Sequence, residues 1–427
     1  MQSTTKLPEA LESLAQRVRS SQPPDVAKRF ENGLANTWNT TLKTLEDGTT
    51  FVITGDIPAM WLRDSAAQVR PFLTASDNKE VGDLIEGVVR RQFDYVLLDP
   101  YANAFNEQGS GRGHQGDLTD TGPWIWERKY EIDSLCYPIQ LSYLLWKNSG
   151  RTTQFDENFR RGVRLIIETW TTEQHHEQKS PYRFQRTTGA PTDTLIRGGL
   201  GSETAHTGMT WSGFRPSDDA CTYGYLVPSN MFAVVALRGA AEIARDILSD
   251  AELERRALEL ADELEAGIEA HGTVLHDELG KIYAYEVDGL GSANLMDDAN
   301  VPSLLAIPYL GYRPAEDPVY AATREFILSP RNPYFYSGAA AEGIGSPHTP
   351  ESYIWPIALA MQGMTAQSEE ERARMLRLLM NTDAGTGYMH EGFHVDRPEE
   401  FTRPWFSWAN MMFCELVLMD SGIVVKK

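Results

Sequence analysis

The stretch VGDLIEGVVRRQFDYVLL, residues 81–98, carries its apolar side chains at the spacing of an α-helix. Val81, Ile85, Val88 and Val96 fall on one side of a chain that turns every ~3.6 residues. The same periodicity recurs near residues 7–22, 24–45, 64–75, 132–149, 155–177, 228–248, 250–270, 298–310, 317–328, 352–365, 368–381 and 404–420. The pattern predicts on the order of a dozen helices.

Long polar, glycine-rich segments separate the helical patterns, and two short stretches have the character of strands. TTFVIT (49–54) and KIYAYEV (281–287) are predicted to form short hairpin arms. The long segments are 99–127, 180–217, 272–297 and 329–350. Loops of this length in a compact domain are usually functional. Because no linker or repeat divides the chain, we predict one all-α domain over residues 1–427, with paired helices closed into a barrel and the loops gathered at one end.

The chain is strongly acidic: its 427 residues include 39 lysines and arginines against 60 aspartates and glutamates, for a formal net charge of −21. This charge argues against nucleic acid or an anionic membrane surface as a partner. Cys136, Cys221 and Cys414 lie far apart without a CxxC motif, so we expect no disulfide framework. The first residues lack the apolar core of a signal peptide, and no run suits a membrane span. We therefore expect a soluble, cytoplasmic protein.

Tryptophan recurs beside charged and amide side chains. DIPAMWLRDS (56–65) places Arg63 and Asp64 directly behind Trp61, and WIWERKY (124–130) and PWFSWAN (404–410) repeat the combination. Sugars present apolar C–H faces that stack on aromatic rings and hydroxyls that bond to carboxylates, amides and guanidinium groups. These segments favour a carbohydrate site. The alternatives are that each tryptophan belongs to a core and that Arg63 and Asp64 form a buried ion pair at the start of a helix.

Residues 390–394 read HEGFH, which is the HExxH signature of zinc proteases. On a helix, His390 and His394 would share one face and bind zinc, with Glu391 as the base and Glu415 as a further candidate ligand. Glycines surround and interrupt the motif, and a proline follows it. The segment is therefore predicted to be a loop, which does not hold two histidines one turn apart. We expect no metal here, and Glu391 remains as an acid on a loop.

A second acidic motif, GFRPSDDACTYGY (213–225), holds adjacent carboxylates at Asp218 and Asp219. Neighbouring carboxylates repel each other, so one of them is expected to have a raised pKa, as a general acid requires. The alternative is that Ser217 or Asp218 only caps a helix. Together with Glu391, the motif suits glycoside hydrolysis, which uses two carboxylic side chains. No GxxxxGK[ST] or GxSxG motif indicates a phosphate-binding loop or a serine hydrolase.

Five blocks of the sequence resemble glycoside hydrolase family 125. They are TGDIPAMWLRDS (54–65), WERKYEIDSLCYPIQL (126–141), TWSGFRPSDDACTYGYLVPSNMF (210–232), LMDDANVPSLLAIPYLG (295–311), and MHEGFH with FTRPWFSWANMMFCEL (389–416). The resemblance extends from about Phe30 to Leu418. It implies an (α/α)6 barrel and an exo-acting α-1,6-mannosidase that inverts the anomeric configuration without a metal or another cofactor.

The resemblance also implies roles for individual residues. It places the general acid in the SDD block, where we favour Asp218 and keep Asp219 as the alternative, and it makes Glu391 the general base. The expected partner is a mannose-containing oligosaccharide. The residues expected to contact it are Trp61, Arg63, Asp64, Trp126, Glu131, Arg215, Asp297, Asp298, Asn300 and Trp405.

Three other functions compete with this hypothesis. A glycan-binding protein would keep the aromatic residues without needing paired carboxylates, and it would release no reducing sugar from α-1,6-mannobiose. A zinc peptidase that acts through HEGFH would lose its activity with a chelator, and so would a metal-dependent α-mannosidase. Release of sugar in the presence of a chelator is therefore expected of the metal-independent mannosidase alone among the four functions.

Overall fold

The computed structural model describes residues 7–427, so residues 1–6 of the predicted domain lie outside the described part. The α-helices are α1 (Glu9–Ser21), α2 (Pro24–Asn36), α3 (Leu62–Val69), α4 (Lys79–Leu98), α5 (Ile132–Ser149), α6 (Glu157–Glu173), α7 (His176–Lys179), α8 (Ile196–Gly199), α9 (Val227–Ile243), α10 (Ala251–His271), α11 (Ile307–Leu310), α12 (Pro318–Ile327), α13 (Pro356–Met364), α14 (Glu369–Asn381) and α15 (Ser407–Asp420). The short strands are β1 (Leu42–Thr44), β2 (Thr50–Val52), β3 (Met60–Trp61), β4 (Ala104–Phe105), β5 (Ile125–Glu127), β6 (Tyr225–Leu226), β7 (Thr273–His276), β8 (Gly280–Tyr283), β9 (Glu286–Val287), β10 (Ala293–Asn294), β11 (Phe335–Ser337), β12 (Glu342–Ile344), β13 (Tyr353–Ile354) and β14 (Phe393–His394).

Twelve of these helices alternate along the chain between an inner and an outer ring. The inner helices are α3, α5, α9, α11, α13 and α15, and the outer helices are α2, α4, α6, α10, α12 and α14. Every residue of α3 and of α13 is buried, as expected for helices that others surround. The outer helices bury one face and expose the other; the buried face of α10 includes Leu253, Ala257, Leu260 and Leu264. This alternation is an (α/α)6 barrel.

The inner ring closes on itself. Helix α3 contacts α5, α5 contacts α9, α9 contacts α11, and α15 contacts both α13 and α3. The single turn of α11 joins α15 through a hydrogen bond from the Tyr309 hydroxyl to Glu415 Oε2 at 2.8 Å. The prediction of paired helices closed into a barrel is therefore confirmed. None of the helices within residues 7–427 combines the length and the apolar character that crossing a membrane requires.

The main difference from the periodicity lies at residues 298–310, where only Ile307–Leu310 is helical. The Asp297 carboxylate accepts hydrogen bonds from the backbone N–H groups of Leu304 at 2.8 Å and Leu305 at 3.0 Å. Bonds from a side chain thus replace the backbone bonds that would extend a helix over this segment. An apolar pattern alone does not reveal that competition.

Short strands lead into the inner helices. Strand β3 ends directly before α3, β6 before α9, and β5 and β13 precede α5 and α13. Because β13 pairs with β14, the helix predicted at 352–365 begins only at Pro356. Strands β2, β8 and β9 lie in the two stretches that were predicted to form strands. The long loops therefore collect at the amino-terminal ends of the inner helices, where a site can form.

The contact between α4 and α6 provides a test of the packing. Gly162 of α6 faces the ring of Phe93 on α4, and a β-carbon at position 162 would overlap that ring. We predict that Gly162→Ala lowers the melting temperature. Overpacking costs about 1–3 kcal/mol, which outweighs a gain of about 1 kcal/mol in helix propensity.

Gly239→Ala in α9 is the matched control. The new methyl group would lie 3.3 Å from Tyr143 Cδ2, which a small movement of that ring relieves. This variant should melt at the parent temperature or above it. Calorimetry that found no loss of stability in Gly162→Ala would contradict the packing of α6 on α4.

Candidate active site

A cavity with an empty volume of about 360 Å³ opens at the amino-terminal ends of the inner helices. This volume includes open solvent at the mouth, so the enclosed part of the cavity is small. Its apolar lining consists of Ile57, Trp61, Pro216, Trp355, Phe406 and Trp408. Its polar lining consists of Thr54, Arg63, Asp64, Ser217, Asp218, Asn300, His348, Glu391 and Arg403.

A larger cavity of about 870 Å³ lies between α5, α9 and the end of α11. Its lining holds a single carboxylate, Glu242, which already accepts hydrogen bonds from Tyr143 and Lys147. Paired carboxylates, which the sequence pointed to, therefore occur in the smaller cavity and not in this one.

The Arg63 guanidinium organises the buried side of the smaller cavity. Its Nη1 donates to Glu131 Oε2 at 2.6 Å and to Asp133 Oδ2 at 3.2 Å, and its Nη2 donates to Asp218 Oδ1 at 3.0 Å. Asp64 is the fourth carboxylate, with Oδ2 3.7 Å from Arg63 Nε. One cation thus faces four carboxylates in a setting with almost no exposure to water.

This imbalance of charge keeps protons on part of the cluster. Burial raises the pKa of Asp64 and that of Asp133 to about 6, although Arg63 opposes the change. Burial also raises the pKa of Glu131 well above its usual range, and the Asp218 charge adds to the effect. Burial acts in the same direction on Asp218, but Arg63, Lys129 and other neighbours together outweigh it and hold the pKa of Asp218 below its usual range. The surroundings of the pair therefore favour a proton on Glu131 over one on Asp218.

Asp218 and Asp219 occupy different environments. Asp218 has a left-handed backbone with φ 67°, which is strained for a residue other than glycine, and its carboxylate lines the cavity. Asp219 is buried behind it and accepts a hydrogen bond from His348 Nδ1 at 3.3 Å. Burial lowers the pKa of His348, but the bond to Asp219 and the nearby Glu391 and Asp218 raise it overall to about 9. His348 is therefore a cation at neutral pH, and Asp218 is the member of the pair that reaches the cavity.

Glu391 lines the cavity from a separate loop. Arg403 Nη1 donates to Glu391 Oε1 at 3.4 Å, and Arg403 Nη2 donates to Asp56 Oδ1 at 2.6 Å. The backbone N–H of Glu391 donates to the Thr402 carbonyl at 3.3 Å. Two neighbouring loops thus position this carboxylate, and its guanidinium partner differs from that of Asp218.

The HEGFH segment is not helical, as its glycines predicted. His390 is buried against a phenylalanine ring, and His394 lies in β14. Glu415, the further candidate ligand, accepts a hydrogen bond from Arg70 Nε at 2.8 Å. Within residues 7–427, no group of three or more His, Cys, Asp or Glu side chains has an arrangement that could hold a metal ion.

The residues that were predicted to contact substrate separate into two groups. Trp61, Arg63, Asp64 and Asn300 line the cavity. Trp126 lies next to it, in a small apolar cluster with Trp61. Those outside the lining are Trp126, Glu131, Arg215, Asp297, Asp298 and Trp405.

Most of the residues outside the lining are engaged by protein groups. Arg215 Nε donates to Glu286 Oε1 at 2.6 Å. Asp298 Oδ1 accepts from Asn300 Nδ2 at 2.9 Å, which orients the asparagine that does line the cavity. Trp405 Nε1 donates to an asparagine of α2 at 2.9 Å. These residues support the site and do not form its surface.

The sequence also failed to single out several lining residues, among them His348, Trp355, Phe406 and Trp408. PWFSWAN was recognised as a candidate sugar-binding segment, yet Trp408 and not Trp405 faces the cavity. Two of the others could have been identified from the sequence, because Trp355 and Phe406 directly precede inner helices, as Trp61 does. His348 lies in an irregular loop and has no such signal.

The chain matches the family model described as metal-independent α-mannosidase (GH125) over residues 23–418. A solved structure from Streptococcus pneumoniae is 52% identical, with a TM-score of 0.96, and covers 98% of this chain and 99% of that one. It shows a metal-independent α-mannosidase in a non-productive complex with α-1,6-mannobiose.

Two further relatives are more distant. The Meiotically up-regulated gene 157 protein of Schizosaccharomyces pombe is 39% identical over 422 residues, which cover 92% of this chain and 82% of the yeast protein. A wild-type glycosidase covers 98% of this chain and 100% of its own with 14% identity and a TM-score of 0.54, so the likeness shows the fold alone. With the family model matched over nearly its whole length, the chain belongs to glycoside hydrolase family 125, the metal-independent α-mannosidases.

Proposed function

We propose that the protein is an exo-acting, inverting α-1,6-mannosidase that removes terminal mannose from α-1,6-linked mannosides, including fragments of N-glycans. The observation that carries the proposal is that Asp218 and Glu391 line one cavity, each bound to its own guanidinium group, on Arg63 and Arg403. The S. pneumoniae relative supports the proposed α-1,6 linkage, because its structure holds α-1,6-mannobiose in a non-productive complex. That relative is described in connection with the processing of N-linked glycans, which supports the proposed class of substrate.

The size and lining of the cavity support action at a chain end. The space of about 360 Å³ already includes open solvent at the mouth, so the cavity is too small for several sugar rings. The indole rings of Trp61, Trp355 and Trp408 offer the apolar surfaces on which the C–H face of a sugar stacks. A site of this kind binds the terminal residue of a glycan and leaves the rest of the chain outside.

The two carboxyl groups divide the proposed reaction between them. Asp218 protonates the glycosidic oxygen while the bond to the anomeric carbon breaks, and Glu391 takes a proton from the water that attacks the opposite face. A single displacement of this kind converts an α-mannoside into β-mannose, and it needs a carboxyl separation of about 6.5–9.5 Å to admit the water. Asp64 accepts hydrogen bonds from sugar hydroxyls and so orients the ring.

The linkage and the stereochemistry have a direct test. The protein should release mannose from α-1,6-mannobiose much faster than from the α-1,2 and α-1,3 isomers, and it should do so in the presence of EDTA. Proton NMR should show β-mannose as the first product, followed by mutarotation. Initial α-mannose would exclude inversion, and equal rates on all three disaccharides would exclude the proposed specificity.

The proposed acid and base should respond differently to the leaving group. Asp218→Asn and Glu391→Gln should each lower kcat on α-1,6-mannobiose by about 10²–10⁴-fold, the usual contribution of general acid–base assistance. A dinitrophenyl α-mannoside needs little protonation of its leaving group. That substrate should restore much of the activity of Asp218→Asn and little of the activity of Glu391→Gln.

Asp219→Asn is the matched control for the acid. It removes the neighbouring carboxylate, which lies behind the cavity and holds His348. If this variant lost the protonation step while Asp218→Asn kept it, the assignment within the pair would be wrong. Retention of full activity by both would place the acid elsewhere.

Asp64 provides a test of substrate binding. Asp64→Ala should lower kcat/KM on α-1,6-mannobiose by about 10²-fold or more, because hydrogen bonds to a charged group contribute about 1.5–3 kcal/mol each. Asp133→Asn is the control, since Asp133 also binds Arg63 but lies outside the cavity lining. Equal losses in the two variants would show that Asp64 acts only as a partner of Arg63.

A further inference from the structure

We propose that Glu131 stores the proton that Asp218 delivers to the leaving group, so that the two carboxyl groups act as a dyad that shares one proton between turnovers. The inference rests on the proposed role of Asp218 as general acid. Glu131 is then a positioning residue: it holds a proton, acts through Asp218 and does not touch the sugar.

The same two donors hold both carboxyl groups together. Arg63 donates to Glu131 from Nη1 and to Asp218 from Nη2. Asn103 Nδ2 lies 3.4 Å from Glu131 Oε1 and 3.3 Å from Asp218 Oδ1. Two carboxyl groups that bind the same two donors lie close together, and two carboxylates this close do not both ionise readily.

The groups around the dyad do not supply enough positive charge to remove that proton. The half-buried thiol of Cys221 also lies near Glu131, and loss of hydration raises its pKa well above the usual range, so it stays neutral. The cations that face the dyad or its partners are Arg63, Lys129, Arg186, His348 and Arg403. The carboxylates are Asp64, Glu127, Asp133, Asp193 and Asp219. With Glu131 and Asp218 added, carboxyl groups outnumber cations, and retained protons balance the difference.

The dyad is asymmetric, which determines where the proton resides. The side chain of Glu131 is 0% exposed, whereas that of Asp218 is 24% exposed. Ser134 Oγ donates to Glu131 Oε2 at 2.7 Å, on the side away from the cavity. In the empty site, water solvates the Asp218 carboxylate and the proton remains on the dry Glu131. A sugar in the cavity displaces that water, so the proton moves to Asp218 and faces the glycosidic oxygen.

The protons balance over one turnover. One proton passes from Glu131 to Asp218 and from Asp218 to the glycosidic oxygen, while the electron pair of the bond to the anomeric carbon leaves with that oxygen. The attacking water forms the new bond to carbon and gives one proton to Glu391. The dyad then lacks one proton and Glu391 carries one more. Both return to their starting state by exchange with solvent after the product leaves the cavity.

Glu131→Gln removes the stored proton with little change in shape. The amide oxygen can still accept from Arg63, but the side chain has no proton to release. The upper limb of the pH profile of kcat/KM on α-1,6-mannobiose should move to lower pH by about one unit or more, because coupled carboxyl groups interact by at least that amount. A dinitrophenyl α-mannoside should be affected much less. A role in stability alone would not move the pH profile.

Glu127→Gln is the matched control. Glu127 is a buried carboxylate that also accepts from Asn103 Nδ2, at 3.0 Å, but it is paired with Arg186 and is not bonded to Asp218. Its replacement should move the upper limb much less. An unchanged limb in folded Glu131→Gln, or an equal shift in both variants, would overturn the dyad. Full activity of Asp218→Asn would instead overturn the assignment of the acid.

A measurement on the wild-type protein tests the dyad even if Glu131→Gln does not fold. With ¹³C at the glutamate side-chain carboxyl carbon, NMR should show one glutamate that is protonated at neutral pH. Its signal should shift in Asp218→Asn, which removes the partner carboxylate. If every glutamate carboxyl of the wild-type protein is ionised at neutral pH, Glu131 does not store a proton and the inference is wrong.

Discussion

The buried guanidinium of Arg63 connects the parts of the barrel that form the cavity. It belongs to α3, it bonds to carboxylates at the start of α5 and in the loop before α9, and it lies 5.7 Å from the ring centroid of Trp408 on α15. Charges buried this completely are tolerated only when each is paired or neutralised by a proton. Because one cation serves four carboxylates, the position of every proton in the site depends on Arg63. The loops around it are held in place by the same bonds.

The two rings of helices begin in different ways, and this difference produces the site. Five outer helices begin with a polar side chain that caps the backbone, namely Asn78, Asp156, Asp250, Asp317 and Ser368. No side chain caps the inner helices α3, α5, α9, α13 and α15. The start of a helix carries partial positive charge, which favours carboxylates in the first turn, where Asp64 and Asp133 lie. The closed inner ring therefore brings acids and aromatic residues together at one end.

Much of the fold could be predicted from the sequence, because a helix that buries one face repeats its apolar residues with the period of the helix. The prediction failed at 298–310, where Asp297 takes the backbone bonds that a helix would use. The acidic blocks gave Asp64, Asp218 and Glu391, which all line the cavity. Asp298 and Arg215 come from blocks of similar composition, but their side chains bind other protein groups and do not line the cavity. The direction in which a loop side chain points depends on contacts between distant segments. The sequence therefore could not predict which of these residues line the cavity, or that His348 is one of the lining residues.

A glycosidase of the proposed kind needs one carboxyl group that holds a proton and another that accepts one. The surroundings of the two proposed groups, Asp218 and Glu391, differ in their charge. Asp218 belongs to a largely buried cluster in which carboxylates exceed cations, and this excess favours retention of a proton. Glu391 faces two cations, Arg403 and His348, and 23% of the Arg403 side chain is exposed to solvent. Asp219 then has a role without touching substrate, because its bond to His348 keeps that imidazole charged beside Glu391. The adjacent pair in the SDD block thus serves both sides of the cavity: Asp218 acts within the Arg63 cluster, and Asp219 supports the cation that faces the base.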